Sequence, residues 1–226
     1  MTEVVRALIT KCGVSVNAPS ALESSGAKPL HLAVLHGQGH LLPMLLELGA
    51  DIDSIDSEKN CTPLLMSAIL EDEWSFNYLL QAGANIHCHT TEGRTAMYIA
   101  AEKGNSTIIQ LLIERGKVDV NASCTVEGHR GGPLHVAAMF NNAHAVWRLL
   151  ECGASINSRD ARDRKPIDLA RETNSSSAEE MLKRQADKEA AAVAAVVLAG
   201  AAADASSTSS NASSSSSSSS IDDNVT

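Results

Sequence analysis

The chain has 226 residues, of which 44% are hydrophobic and only 3% aromatic, and its formal net charge is −9. This charge argues against a nucleic-acid-binding surface, which needs clustered lysine and arginine. The longest apolar stretch, 190–203, is mostly alanine and too short for a membrane span, so we predict no membrane insertion. There is no recognisable signal peptide, and five cysteines without paired spacing predict reduced thiols in an intracellular protein, cytoplasmic or nuclear.

The first segments of the chain show short helical patterns that end at glycines. Residues 4–18 match only the second half of the unit that follows them. In that unit Pro29 suits the first turn of a helix, because its missing N–H costs nothing there. Gly37 and Gly49 can adopt the left-handed conformation that ends a helix, so the spacing predicts two short helices. An extended turn then completes a helix pair with a hairpin-like loop.

This unit is repeated along the chain. A motif of the type Thr-Pro-Leu-His recurs every 33 to 37 residues, starting at Lys28, Thr62, Thr95, Gly132 and Lys165. A fixed period near 33 residues indicates a stack of small helical units, each burying its apolar face against the next. We therefore predict an all-α solenoid with a half-repeat at 1–18 and repeats near 26–56, 60–89, 93–123, 130–160 and 163–200.

The C-terminal end of the chain changes in composition. The sequence Ser177-Ala178-Glu179-Glu180 has the form of a capping box and predicts the start of a polar terminal helix reaching about Gly200. From Asp204 the chain is almost all serine, which cannot bury enough apolar surface to offset its chain entropy. We therefore expect a disordered tail at 201–226.

Four features together resemble the ankyrin repeat. They are the Pro-Leu-His motif, the glycines before the second helix (Gly37 and Gly104), the Leu-Leu pairs and the Gly-Ala-Asp-Ile type of sequence. The resemblance extends from about Val4 to Leu182. It implies an L-shaped stack of antiparallel helix pairs with projecting hairpins, and protein–protein binding on the concave face.

Sites for catalysis or metal binding are not expected. We interpret His31 and His135, at matching repeat positions, as buried imidazoles that tie the loop backbone of one repeat to the next. The triplet at 87–89, His-Cys-His, lies in an extended loop where alternate side chains diverge, so we predict no metal site. Nucleophile-elbow, phosphate-loop, dinucleotide and kinase motifs are absent. We therefore predict that the protein is not an enzyme and has no cofactor.

The second full repeat departs from the pattern. Glu71 replaces its helix-closing glycine, and Trp74, Phe76 and Tyr78 fall within five residues. Phe76 and Tyr78 occupy positions usually filled by valine and leucine, so we predict that both belong to the core. Trp74 occupies a position that is normally polar and exposed, which makes it a candidate contact residue.

In the ankyrin family, the residues just before the turn between the two helices line the binding groove. The resemblance therefore implies the partner-binding candidates Leu35, His36, Ile69, Leu70, Glu102, Lys103, Met139 and Phe140. We place Trp74 at the margin of this groove, and at its rim the charges of Glu58, Lys59, Glu92, Arg94 and Arg130. A glycine-containing insertion at 125–131 is either a tolerated surface loop or a projecting finger.

These observations predict a monomeric adaptor, or an inhibitor that masks the surface of another protein. The alternative is a regulatory segment of a larger enzyme or channel.

Overall fold

The computed structural model describes residues 2–20, 26–123 and 131–211. The regular secondary structure in these ranges is helical, apart from one isolated β-bridge between His89 and Thr95. The helices are α1 (Thr2–Cys12), α2 (Pro29–Leu35), α3 (Leu42–Glu47), α4 (Pro63–Ile69), α5 (Glu73–Gln81), α6 (Ala96–Lys103), α7 (Ser106–Glu114), α8 (Pro133–Met139), α9 (Ala143–Glu151), α10 (Pro166–Glu172) and α11 (Ser176–Asn211). A short 3-10 turn, Gly39–Leu41, precedes α3. The predicted all-α class is confirmed.

The helices form two layers. The first helices of the five repeats, α2, α4, α6, α8 and α10, contact one another in series. The second helices α5, α7 and α9 form the other layer in the same order. Fully buried alanines at Ala68, Ala101 and Ala138 recur in the first helices and let neighbouring backbones approach closely. The core therefore runs as a continuous band between the layers.

The first helices use two local solutions for the unpaired N–H groups at a helix N-terminus. In repeats 2 and 3, the hydroxyls of Thr62 and Thr95 each accept the N–H three residues ahead, at 3.3 Å. In the other repeats the residue before the helix has no such oxygen. There the third helical residue, His31, His135 or Asp168, accepts the N–H three residues behind it. The repeats thus keep one helix start with different side chains.

The turn between the two helices of each repeat requires a residue in the left-handed conformation. Gly37 and Gly104 supply it in repeats 1 and 3, at φ 63° and 80°. Glu71, Asn141 and Asn174 supply it in the others, at φ 55–58°. Asparagine tolerates this conformation better than glutamate does, so repeat 2 carries the least favourable turn of the five.

Two buried histidines connect successive repeats, as predicted. The Nε2 atom of His31 lies 2.9 Å from the carbonyl oxygen of Cys61 in the next repeat. His135 makes the same contact with the carbonyl oxygen of Arg164 at 3.1 Å. Because a carbonyl only accepts, Nε2–H donates in both, while Nδ1 accepts the N–H at the start of its own helix. Burial lowers the pKa of both imidazoles.

The N-terminal half-unit is held to the first full repeat by polar contacts on its surface. The guanidinium of Arg6 pairs with the carboxylate of Glu47 at 3.1 Å. The side-chain oxygen of Asn17 accepts the backbone N–H of Asp51 at 2.8 Å. Among the described side chains of α1, Ile9 packs partly buried against the core. The side chains of Val4, Val5 and Leu8 lie outside those that the structure describes.

Hydrogen exchange is expected to distinguish α1 from the middle of the stack. Amides of residues 4–12 should exchange much faster than those of residues 108–113, because α7 is enclosed by repeats on both sides. Native-state hydrogen exchange measured by mass spectrometry or NMR tests this. Equal protection of the two helices would contradict the prediction and would indicate that something covers α1, most simply a second copy of the chain.

The start of α11 differs from the sequence prediction. The helix begins at Ser176, before the predicted capping box. The backbone N–H of Ala178 instead donates a hydrogen bond to the side-chain oxygen of Asn141, from the preceding repeat, at 3.1 Å. The carboxylate of Glu179 accepts from Arg171 at 3.0 Å and lies 2.8 Å from Lys183. The capping-box interpretation is therefore corrected: the cap comes from a neighbouring repeat.

Helix α11 also continues past the expected boundary near Gly200. It includes 201–211, where the alanines at 201–203 are strong helix formers. Residues 212–226, most of the predicted tail, lie outside the described residues. The chain divides into two units, 1–183 and 184–226. None of the described helices combines the length and hydrophobicity that a bilayer span requires.

Candidate binding groove

Two adjacent residues near the end of each first helix repeat along one face of the stack. We call them the first row and the second row. The first row is Leu35, Ile69, Glu102, Met139 and Glu172. The second row is His36, Leu70, Lys103, Phe140 and Thr173. These rows contain most of the contact residues predicted from the sequence, and stacking aligns them because each occupies the same position in its repeat.

The apolar members of the two rows are accessible. The exposed fractions of Leu35, Leu70 and Phe140 are 38%, 44% and 43%. Ile69 packs against the core as a partly buried residue, and Met139 is also half-buried. Large apolar side chains that stay exposed together on one face are typical of interaction surfaces.

A cleft of about 200 Å³ opens between the hairpins and first helices of repeats 2 and 3. Its lining residues are Lys59, Ile69, Thr90, Thr91, Glu92, Arg94, Ile99, Glu102 and Lys103. The hairpins beside it are joined by a hydrogen bond from the N–H of Thr91 to the carbonyl oxygen of Lys59, at 2.9 Å. A second bond runs from the Asn60 side chain to the carbonyl oxygen of His89, at 3.2 Å. The structure thus brings both row residues and predicted rim residues into one cleft.

The guanidinium of Arg94 is fixed inside this cleft. Its Nε lies 2.7 Å from a carboxylate oxygen of Glu92, and its Nη1 lies 3.1 Å from one of Glu102. Its Cζ lies 5.9 Å from the ring centre of Tyr98, at the outer limit of a cation–π contact. We predicted Arg94 and Glu92 as rim charges; in the structure the single guanidinium of Arg94 is shared between the carboxylates of Glu92 and Glu102.

Repeat 5 contains a similar arrangement. The guanidinium of Arg164 lies 2.7 Å from the carboxylate of Asp160 and 2.8 Å from that of Glu172. Burial on its own would raise the pKa of Asp160, but the hydrogen bonds from Arg164 outweigh it and hold that pKa below its ordinary value. Arg94 and Arg164 occupy the same repeat position, so this arginine is a structural element of the groove wall.

Trp74 lies on the surface, as predicted, with an exposed fraction of 55%. Its ring stacks on Tyr78 with centroids 5.5 Å apart and planes inclined by 6°. It also covers Gly39, where an added Cβ would lie 2.8 Å from the indole ring. Phe76 is fully buried and Tyr78 packs partly buried against the core, so the predicted core positions are confirmed.

Sequence reasoning missed a second exposed tryptophan. Trp147 lies on α9 with an exposed fraction of 42%, and the guanidinium carbon of Arg148 lies 4.8 Å from its ring centre. The equivalent residues of repeats 2 and 3 are polar, Asn77 and Gln110. Aligning the second helices would therefore have identified Trp147 as an outward-facing position.

Several predicted contact residues remain without a defined role in the groove. His36 and Glu58 are exposed. Arg130 and most of the insertion at 125–131 lie outside the described residues.

Burial raises the pKa of Cys61 to about 12, which keeps this thiol protonated at neutral pH. In the part of the chain that the structure describes, no group of three or more His, Cys, Asp or Glu side chains is arranged to hold a metal ion.

The fold and the groove define a class of protein: a stack of helix-pair repeats that presents an elongated surface. A family model for ankyrin repeats, in three copies, matches residues 64–160, and a single-repeat model matches residues 25–54. The putative ankyrin repeat protein YahD of Escherichia coli (strain K12) is 30% identical over 167 residues, covering 71% of this chain and 79% of that protein. The chain therefore belongs to the ankyrin repeat family, whose repeats are generally protein-binding modules.

Other relatives are much longer than the matched region. Alpha-latrocrustotoxin-Lt1a of Latrodectus tredecimguttatus is 31% identical over 166 residues, which cover 73% of this chain and 11% of the toxin. The putative palmitoyltransferase ZDHHC13 of Danio rerio is 28% identical over 173 residues, which cover 76% of this chain and 26% of that protein. The chain thus corresponds to a small part of each of these two proteins.

Proposed function

We propose that this protein is a non-catalytic binding module that holds another protein in the groove formed by the two rows, as an adaptor or as an inhibitor masking the partner's surface. The observation that carries the proposal is the set of exposed apolar side chains at Leu35, Leu70 and Phe140, next to the charged cleft. Apolar anchors flanked by charged residues are the arrangement that interface hot spots favour.

The proposal includes a monomer that acts inside the cell and does not bind nucleic acid. The net charge of −9 supports the last point, because a negatively charged chain repels phosphate backbones. The cysteines that are described, Cys12, Cys61, Cys88 and Cys152, form no disulfides, which is typical of a reducing compartment.

Replacing Leu70 and Phe140 together by alanine is expected to weaken partner binding by about 2 kcal/mol or more, roughly 30-fold in Kd. The reason is that both side chains are accessible anchors rather than core residues. Wild-type protein immobilised on a resin would capture the partner from a cell extract, and the purified partner would then be titrated against both forms by calorimetry. Thermal unfolding should show little change in Tm.

Trp147→Ala is the matched control, because it removes an exposed aromatic side chain from α9 rather than from the rows. It should bind as the wild type does. An unfolded double variant would show that Leu70 and Phe140 support the core. A folded double variant with wild-type affinity would exclude the groove, and a weakened Trp147→Ala variant would place binding on the second-helix layer instead.

A second candidate function is regulation of a larger enzyme or channel, with this chain as its ankyrin segment. The observation that favours it is the match to only 26% of a putative palmitoyltransferase and 11% of a toxin. Sequencing the transcript beyond both ends of this region tests it, because a catalytic or membrane-spanning domain in the same reading frame would establish a larger protein.

A further inference from the structure

We infer that the groove selects an extended peptide segment of the partner in which an acidic residue lies between two apolar residues. This inference rests on the proposed function and specifies the chemistry of the partner. It depends on three features: the order of residues along the second row, the ion pairs that leave Lys59 and Lys103 available, and the size of the cleft.

The second row alternates between apolar and charged residues across the middle of the stack. Lys103 of repeat 3 lies between Leu70 of repeat 2 and Phe140 of repeat 4, and all three are exposed. Neighbouring helices pack roughly 8–10 Å apart, so Leu70 and Phe140 each lie about one helix spacing from Lys103. An extended peptide in the polyproline II conformation advances about 3.1 Å per residue and has three residues per turn, so side chains three positions apart lie on the same face. A complementary peptide therefore places its acidic residue about three positions from each apolar one.

The ion pairs of the cleft leave Lys103 free to bind a carboxylate. Both carboxylates near it, Glu92 and Glu102, are held by Arg94 at 2.7 and 3.1 Å. Neither Lys103 nor Lys59 forms an ion pair with any residue that the structure describes. The cleft lining therefore carries three basic side chains against two acidic ones, although the whole chain has a net charge of −9. Within this acidic protein, the cleft is a local site of attraction for anions.

The size of the cleft favours an inserted side chain over a separate ligand. Small-molecule sites typically occupy roughly 300–1,000 Å³, whereas this cleft measures about 200 Å³. Its lining includes the half-buried Ile69 and the buried Ile99, which suit the methylene groups of an acidic side chain. Its lining also includes the exposed Lys59 and Lys103, which suit the carboxylate.

Peptide selection tests this specificity with a probe that requires no known partner. A library of short random peptides displayed on phage is selected separately against wild type, Lys103→Glu and Lys117→Glu. Lys117→Glu is the matched control, because it makes the same charge change at an exposed position after α7. Wild type and the control should enrich peptides with an acidic residue between two apolar ones. Lys103→Glu should enrich a basic residue at that central position.

Synthetic copies of the enriched acidic peptides then provide affinities by fluorescence anisotropy. Lys103→Glu should weaken their binding about tenfold or more, since it juxtaposes like charges, and added salt should weaken binding to the wild type. Circular dichroism of each variant confirms that it is folded.

The outcomes separate this inference from the proposed function. If the peptides lose affinity for the Leu70→Ala, Phe140→Ala double variant but show no central acidic residue, the groove binds peptides and the inference is overturned. The same conclusion follows if Lys103→Glu enriches the same acidic motif as the wild type. If the selected peptides bind the double variant as tightly as the wild type, the groove itself is excluded and the proposed function fails with it.

Discussion

Replacing Phe76 by alanine is expected to destabilise the protein by about 3–5 kcal/mol. The Phe76 side chain is fully buried on α5, and it is one of the few aromatic groups in a core built mainly from leucine, isoleucine and alanine. Its removal leaves a cavity that short, regularly stacked helices cannot close by local adjustment. Chemical denaturation with urea measures the loss as a lower midpoint, and the slope of the transition shows whether unfolding remains cooperative.

Trp74→Ala, two residues earlier on the same helix, is the control for this experiment. It removes a larger side chain that is 55% exposed and that stacks on Tyr78. The expected loss is about 1 kcal/mol, the usual contribution of an aromatic pair. Equal losses for the two variants would contradict the assignment of Phe76 to the core and Trp74 to the surface.

The parts of the fold that depend on local chemistry could be predicted from the sequence. Pro29 begins a helix and Gly37 ends one for reasons that involve only a few neighbouring residues. Phe76 could be assigned to the core because the repeat register places it where other repeats carry buried aliphatic residues. The same register predicts the two rows of the groove, since residues at one position of a repeat must align when the repeats stack.

The parts that depend on contacts between repeats could not be predicted. Asn141 caps α11 from the preceding repeat, and a local pattern near Ser177 instead suggested a capping box. Arg94 and Glu102 are eight residues apart, a separation that brings side chains together in neither a helix nor a strand. Their ion pair forms because the hairpin folds back over its own first helix. Sequence reasoning therefore identified the charged residues of the groove but not which charges are neutralised.

Acidification offers a direct test of the contacts between repeats. The free energy of unfolding is expected to fall as the pH is lowered from about 7 to about 5, because of His31 and His135. Burial lowers the pKa of His31, and the carbonyl of Cys61 and the charge of Asp56 offset this only in part. Burial likewise lowers the pKa of His135, and the carbonyl of Arg164 and the charge of Asp160 offset this only in part. The unfolded chain then binds protons that the folded chain excludes.

The sign of the effect follows from this difference in proton binding. Above the ordinary pKa of histidine, about 6.5, both states are neutral and the stabilisation is fully present. Below it, the stabilisation decreases until the pH reaches the lowered pKa of the folded state. Each histidine contributes at most about 1.4 kcal/mol per pH unit within that window. Urea denaturation measured at intervals between pH 7.5 and pH 5 gives the slope of the free energy of unfolding against pH. This range includes the ordinary pKa of histidine.

Replacing His31 and His135 by glutamine separates the titration of these two histidines from the other effects of pH. The His31→Gln, His135→Gln double variant should be less stable at pH 7, because it loses well-formed hydrogen bonds to Cys61 and Arg164. Its stability should nevertheless change less between pH 7 and 5 than that of the wild type. His144→Gln replaces an exposed histidine on α9 and should leave the wild-type slope intact. A double variant with the full wild-type slope would show that groups other than these two imidazoles cause the loss of stability in acid.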